Sequence, residues 1–337
     1  MRRAVVVLVL LLVLVVGAAG GFYAYIDFEA ISPYDPKATE KLELEVPRGA
    51  THAQIGRMLL EQRLISSLFV WRAYLRLHPG FDPKAGRHNV ARSMSMVMIQ
   101  KALSEPPLPE DLPVTIVEGW RLIDADASLA RDGWISPGQY VAAASKVEDF
   151  KIPFQTHSLE GYLLPETYLV NRRKPLDPKK LIQRQLDAFV ERFQRPYADE
   201  LQKTGRSLSD VVIMASMLER EEPTPALRPK VAGLLYKRIA SKWALGVDAT
   251  SRYTLDDWND RKAFLEKLRD PADPYNTRLH KGMPPTAIGA PSLDSLMAAL
   301  RPEPNDAWYY LHDANKQIHF SKTAEEHDRR RKELDVW

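Results

Sequence analysis

The sequence predicts an α+β protein carried behind a single N-terminal transmembrane helix, and three observations point that way. An uncharged stretch runs from Ala4 to Ile26; beyond it, strand-period and helix-period segments alternate; and a proline-rich stretch, Glu105 to Glu110, separates a small unit from a larger one. The 337 residues suffice for about two folded units at roughly 100 to 200 residues each. An apolar share of 45% and a charged share of 27% are those of a folded globular chain and exclude a fibre or a disordered tail. Lys and Arg number 47 against 44 Asp and Glu, so bulk charge gives nucleic-acid binding no support. Without cysteine there is no disulfide framework, thiol nucleophile or Cys-based metal site, and the compartment has to be read from the N-terminus.

The 23 residues of the apolar run would span about 34 Å as a helix, against a hydrocarbon core of about 30 Å. Arg2 and Arg3 bias its short end to the cytoplasm, which places everything after Asp27 on the periplasmic or outer side of the cytoplasmic (inner) membrane. A cleaved signal peptide is the rival reading, with Gly17 to Gly21 as the small residues of a processing site. The length of the run and the interfacial aromatics Phe22, Tyr23 and Tyr25 favour a retained anchor over residues 1–27. Residues 28–40, with Pro33 and Pro36, read as a juxtamembrane spacer.

The small unit covers 41–104 in the order βααβα. Residues 41–46 alternate polar and apolar as a strand; Thr51 caps a helix with an Ile55, Met58, Leu59 stripe; and Ser66 or Ser67 starts a second. Pro79-Gly80 stops that helix, residues 87–90 return as a strand, and Ser93 caps a Met-rich helix ending at Leu103. Met94, Met96 and Met98 alternate by two and cannot share one helix face, so core packing is the reading for most of them. Residues 105–112 are the linker, since prolines remove both helix and ladder bonds. In the larger unit, 113–337, a strand is expected at 114–117, helices near 123–131 and 181–193, and a hairpin pairing 308–312 with 317–320. The basic run Arg329 to Lys332 reads as the solvated face of a terminal helix.

The most informative segment is Ser207 to Glu222. Ser207 and Asp210 stand at capping-box spacing, and the eight uncharged residues that follow leave the helix no polar face, so it should be buried nearly all round. Glu219 ends that run on an interior face, before Pro223 and Pro225. A carboxyl desolvated there would have a raised pKa and could serve as a general acid. The plainer reading is a charged C-terminal turn, yet negative charge at a helix C-terminus is unfavourable, so three glutamates in that turn ask for a reason.

Residues Glu160 to Tyr168 (EGYLLPETY), Ala215 to Glu221 (ASMLERE), Tyr275-Asn276-Thr277 and Gly282 to Pro285, in this order and spacing, resemble the endolytic murein transglycosylases, the YceG-like family. The resemblance runs from about Lys41 to the C-terminus. It implies a LysM-like module over 41–104, a catalytic domain over 113–337 and Glu219 as the catalytic residue. The implied reaction cuts glycan strands internally, at the bond from N-acetylmuramic acid to N-acetylglucosamine, and leaves a 1,6-anhydro end. Glu166, Tyr168, Asp248, Thr250, Tyr253, Tyr275, Asn276 and Thr277 match the family's motifs and are the expected substrate-binding residues. The family's usual Gln, Ser or Thr, and Pro are here Gly246, Val247 and Ala249, a departure that would weaken substrate binding or orientation.

The implied partners are peptidoglycan glycan strands and, at the same membrane surface, the synthases that extrude them. A scaffold that binds glycan with weakened catalysis is the alternative. Nothing in the sequence calls for a cofactor, and the eight histidines show no His-Glu-x-x-His helix, so no metal site is expected.

Overall fold

The computed structural model describes residues 2–171 and 175–336. It mixes helix with three two-stranded antiparallel sheets and divides into two compact units, Met1–Glu110 and Asp111–Trp337.

The first unit opens with α1 (Arg2–Ile31), long and apolar enough to cross a bilayer, with a mean hydropathy of 3.0 and every residue from Val5 to Val16 at least half exposed. The charge step at Arg2 and Arg3 rests on side chains outside the described set. The helix does not give way to a spacer at Phe28. It continues to Ile31, because Ile26 and Ala30 are fully buried in the core of this unit and Asp27 Oδ1 lies 2.9 Å from His78 Nε2. Burying one isoleucine contributes about 1.5–3 kcal/mol, enough to hold these last turns helical.

Strand β1 (Leu42–Val46) pairs with β2 (Gly86–Val90) across the helices α2 (His52–Glu61) and α3 (Leu68–Leu77), and α4 (Met96–Ser104) closes the unit. Thr51 and Gln54 form a capping box on α2, and Ser67 caps α3. The cap of α4 is Ser95 rather than Ser93: Ser95 Oγ accepts from Met98 N, while the Ser93 amide is spent on Ala38 O. Met96 is buried and Met98 exposed, as their spacing requires. The proline stretch folds back on β2, where Leu108 N donates to Arg87 O.

The second unit starts with β3 (Asp111–Thr115), three residues earlier than expected and including Pro113; its partner β4 (Thr167–Asn171) was not expected as a strand. A two-stranded sheet is all edge, so a proline can sit in it without breaking a ladder on its free side. Then come α5 (Leu122–Arg131), α6 (Gln139–Ala144) and α7 (Pro178–Phe189), which runs on as a π-helical turn through Gln194, followed by α8 (Ala198–Thr204). The buried helix α9 (Leu208–Glu221) is the centre of the unit, packed by α10 (Arg228–Ala240), α11 (Asp248–Arg252) and α13 (Leu293–Leu300). Helix α12 (Arg261–Lys267) stands beside α11. The hairpin β5 (Tyr309–His312) and β6 (Ile318–Ser321) leads to the terminal helix α14 (Ala324–Glu333).

Candidate active site

Helix α9 positions the acids. The Ser207 hydroxyl accepts from Asp210 N while Asp210 Oδ2 accepts from the Ser207 amide, and all eight residues from Val211 to Leu218 are buried. With the helix fixed on every side, the helical angle sets where each side chain of the last turn points. Glu219 and Glu221 are two residues apart, about 200°, and leave on opposite sides.

The Glu219 carboxyl meets Arg228. Its side chain is 6% exposed and that of Arg228 is 5% exposed. Arg228 grips both carboxylate oxygens, at 3.0 and 3.1 Å, and Ser292 donates to Oε2 from its amide at 2.9 Å and its hydroxyl at 2.5 Å. Ser292 is the N-cap of α13, so the carboxylate also meets the positive end of that helix. Backbone completes the enclosure: Gly119 N donates to Ala290 O and Ala290 N to Trp120 O, both at 2.7 Å. Gly119 has φ +76°, and a Cβ there would press on Arg220 Cδ at 3.0 Å. Glu219, expected as the catalytic residue, therefore stands on an interior face, as its place in the helix predicts, with Arg228 and Ser292 as partners.

Glu221 has a different setting. It lines a cavity of about 590 Å³ with Asp248, Arg278, Trp243, Tyr309 and His312. Its Oε2 accepts from the Tyr310 hydroxyl at 2.9 Å and its Oε1 from Ala249 N at 3.2 Å. Burial, and after it the charge of Asp248, pushes the Glu221 carboxyl above its ordinary value, against the pull of the Ala249 amide and the Tyr310 hydroxyl. Asp248 is held by Arg278, whose Nε and Nη2 reach Oδ1 at 2.8 and 2.5 Å. The third acid, Glu222, is fully buried between His312 Nε2 at 3.1 Å and the Thr224 amide at 2.7 Å. Each glutamate of the last turn therefore has a tertiary partner, which offsets the unfavourable dipole.

The other expected residues fall into three groups. Asp248 shares the cavity with Glu221. Tyr253 and Tyr275 pack at 4.7 Å between centroids with their rings tilted by 43°, both half-buried; Tyr253 donates to Glu160 Oε2 at 3.1 Å and Tyr275 bonds to Thr286. Glu160 is 3% exposed, and its carboxyl is pushed up to about 7 by burial. The remaining residues are engaged by the protein itself. Tyr168 is core, its hydroxyl spent on Leu164 O at 2.6 Å. Thr250 and Thr277 bond to each other at 3.0 Å while fully or almost fully buried, and Asn276 Nδ2 holds the carbonyls of Lys267 and Asp270. Glu166 forms an ion pair with Arg192 and is one-quarter exposed. A polar residue in a motif is as readily a loop brace as a ligand, and the internal partners of these residues are those of a brace.

The YceG-like family model matches residues 44–333. The chain belongs to the YceG-like family. Among its relatives are two proteins named endolytic murein transglycosylase. That of Bacillus subtilis (strain 168) is 26% identical over 92% of this chain and 89% of its own length. That of Streptococcus pneumoniae serotype 2 (strain D39) is 24% identical over 93% of this chain but only 62% of its own length. The crystal structure of a YceG-like protein from Listeria monocytogenes matches 86% of this chain and 99% of its own with a TM-score of 0.57 and 26% identity.

The three expected departures, Gly246, Val247 and Ala249, fall in one short stretch of chain. Gly246 lines the cavity at φ +63°, so a larger side chain there would be strained. Val247 is fully buried. Ala249 supplies an amide to Glu221 that a proline could not. The sequence reading missed Glu221, Tyr310, His312 and Arg278. The available signal was the acid pair at 219 and 221, with Arg228 nine residues beyond the first.

Proposed function

We propose that the protein is a membrane-anchored endolytic transglycosylase that cuts the β-1,4 bond from N-acetylmuramic acid to N-acetylglucosamine in nascent peptidoglycan and leaves a 1,6-anhydro end. The observation that carries this is Glu221: a carboxyl on the wall of a cavity edged by aromatic rings, hydrogen-bonded by the Tyr310 hydroxyl and raised above its ordinary pKa by burial, in a chain whose relatives bear that name. One carboxyl serves both steps. Glu221 gives its proton to the bridging oxygen as the bond from that oxygen to C1 of muramic acid breaks. The C6 hydroxyl of the same sugar closes on C1, and the Glu221 carboxylate takes the hydroxyl proton, with no water consumed.

Asp248, fixed by Arg278, lies beside Glu221 and adds to the rise in the Glu221 pKa. Trp243 and Tyr309 offer ring faces to sugar, and Tyr253 with Tyr275 a second aromatic pair. Glu219 anchors the end of α9 instead of acting as the acid, and Thr250, Asn276 and Thr277 brace the loops around it. We read 41–104 as a LysM-like module from its βααβ order, 105–112 as the linker and 113–337 as the catalytic domain. The anchor would hold that domain on the outer face of the cytoplasmic membrane, within reach of strands leaving a membrane-bound synthase.

A second reading, a glycan-binding scaffold with weakened catalysis, draws on Gly246, which leaves open a place where the family carries a side chain. Digestion of purified sacculi by the full chain decides between them. Release of 1,6-anhydro fragments that Glu221→Gln abolishes supports the enzyme; binding without release supports the scaffold; and fragments with reducing ends would show a hydrolase.

A further inference from the structure

The small unit carries a cationic, apolar face that the glycan chemistry does not use. Helix α3 lies across α1 rather than along it. At one end of α3, Phe69 meets Phe22 edge-on at 6.2 Å between centroids, and Ser66, just before the helix, donates to Glu29 Oε2 at 3.4 Å. At the other end, His78 bonds to Asp27, and its ring lies 5.8 Å from that of Tyr23. Phe69 and His78 are about 13 Å apart by helical rise, yet both ends touch the same short stretch of α1 between Phe22 and Glu29. With α1 along the bilayer normal, α3 therefore lies in the plane of the membrane surface, level with the aromatic belt.

Val70 and Trp71 point α3 into the core. On the opposite side Phe69, Arg72 and Arg76 fall within an arc of about 60°, all three exposed, Phe69 by 62%. Among the described residues neither arginine has a carboxylate partner. A cavity of about 640 Å³ runs along this face, lined by Phe22, Phe69, Arg72, Leu75, Arg76 and Leu77, and no acidic residue lines it. Two free guanidinium groups beside exposed rings, at the level where the chain enters hydrocarbon, match a negatively charged headgroup with an apolar tail.

We propose that this face of α3 binds an anionic phospholipid of the bilayer that α1 spans, with the phosphate between Arg72 and Arg76 and an acyl chain along Phe22 and Phe69. The small unit is then docked on the bilayer surface and is not a free spacer. The proposal rests on the membrane-anchored reading above.

The test reconstitutes the full chain and Arg72→Gln/Arg76→Gln into vesicles of phosphatidylcholine alone or equimolar with phosphatidylglycerol. Flotation is scored first, and then the phosphatidylglycerol retained per chain after detergent extraction. Both chains should float with either vesicle, and the double variant should retain phosphatidylglycerol about 25-fold less well, roughly fivefold for each arginine. Phe69→Ser should weaken retention without altering charge. Flotation with equal retention by wild type and double variant overturns this proposal and leaves the anchor standing. Failure of both chains to float overturns the anchor and the proposal with it. Concentration-dependent pairing of chains that the double variant abolishes would instead assign the face to a second copy.

Discussion

Two carboxyls two residues apart, at the end of the same helix, have opposite surroundings. Glu219 is sealed against Arg228 and Ser292, with donors to both oxygens. Glu221, about 200° around the helix, faces a cavity, a tyrosine hydroxyl and the negative charge of Asp248. The first carboxyl is ion-paired and hydrogen-bonded, whereas burial and the charge of Asp248 raise the pKa of the second. The pair shows that in a motif of alternating acids, composition says a carboxyl is used, while the exit angle from the helix says which one and for what.

The largest expected effect separates the two directly. Glu221→Gln should lower release of 1,6-anhydro fragments by about 10²–10⁴-fold with little change in melting temperature, since it removes a general acid from a cavity wall. Activity surviving in that variant would reverse the comparison. Glu219→Gln should do the opposite to stability. It leaves Arg228 buried without its counter-charge, which costs about 3–5 kcal/mol, read as a fall in denaturant midpoint.

A third test concerns Glu160, whose folded carboxyl titrates at about 7 against an ordinary value of 4.5. Between these values the folded chain holds a proton that the unfolded chain has released. Stability should therefore be fully present below about pH 4.5 and fall as pH rises toward 7, by on the order of 3 kcal/mol. Glu160→Gln should flatten that slope in melting curves taken across the range.

The smallest effects sharpen the setting of Glu221. Asp248→Asn removes the charge that raises its pKa, so the alkaline limb of the pH–rate profile should move to lower pH. Ala249→Pro deletes the amide that lowers it, so the same limb should move up; the position is in the first turn of α11, where proline is tolerated. Both shifts should be under about one pH unit, and shifts in the same direction would mean that Glu221 is not the titrating group.

Much of the fold was legible in local pattern. The capping boxes at Thr51 and Ser207, the buried run Val211 to Leu218 and the final hairpin follow from rules acting over a few residues. The pairing of β3 with β4 was not, because it joins residues more than 50 positions apart and one strand contains a proline. Of the expected site residues, Asp248 stands in the cavity with the acid, whereas Tyr168, Thr250, Asn276 and Thr277 are enclosed. Motif membership marks all of them equally, since a loop brace and a ligand are the same residue type until burial is known.

By itself the sequence determined the long apolar N-terminal helix, the mixed helix and strand, the buried central helix and the family, because each depends on periodicity, composition or motif order along the chain. Only the tertiary structure decided which acid of that last turn is ion-paired and which lines a cavity. That choice belongs to Arg228, Ser292, Tyr310 and Asp248, which meet the two carboxyls from other elements, and a carboxyl's protonation is set by the charges and donors around it rather than by its neighbours in the chain.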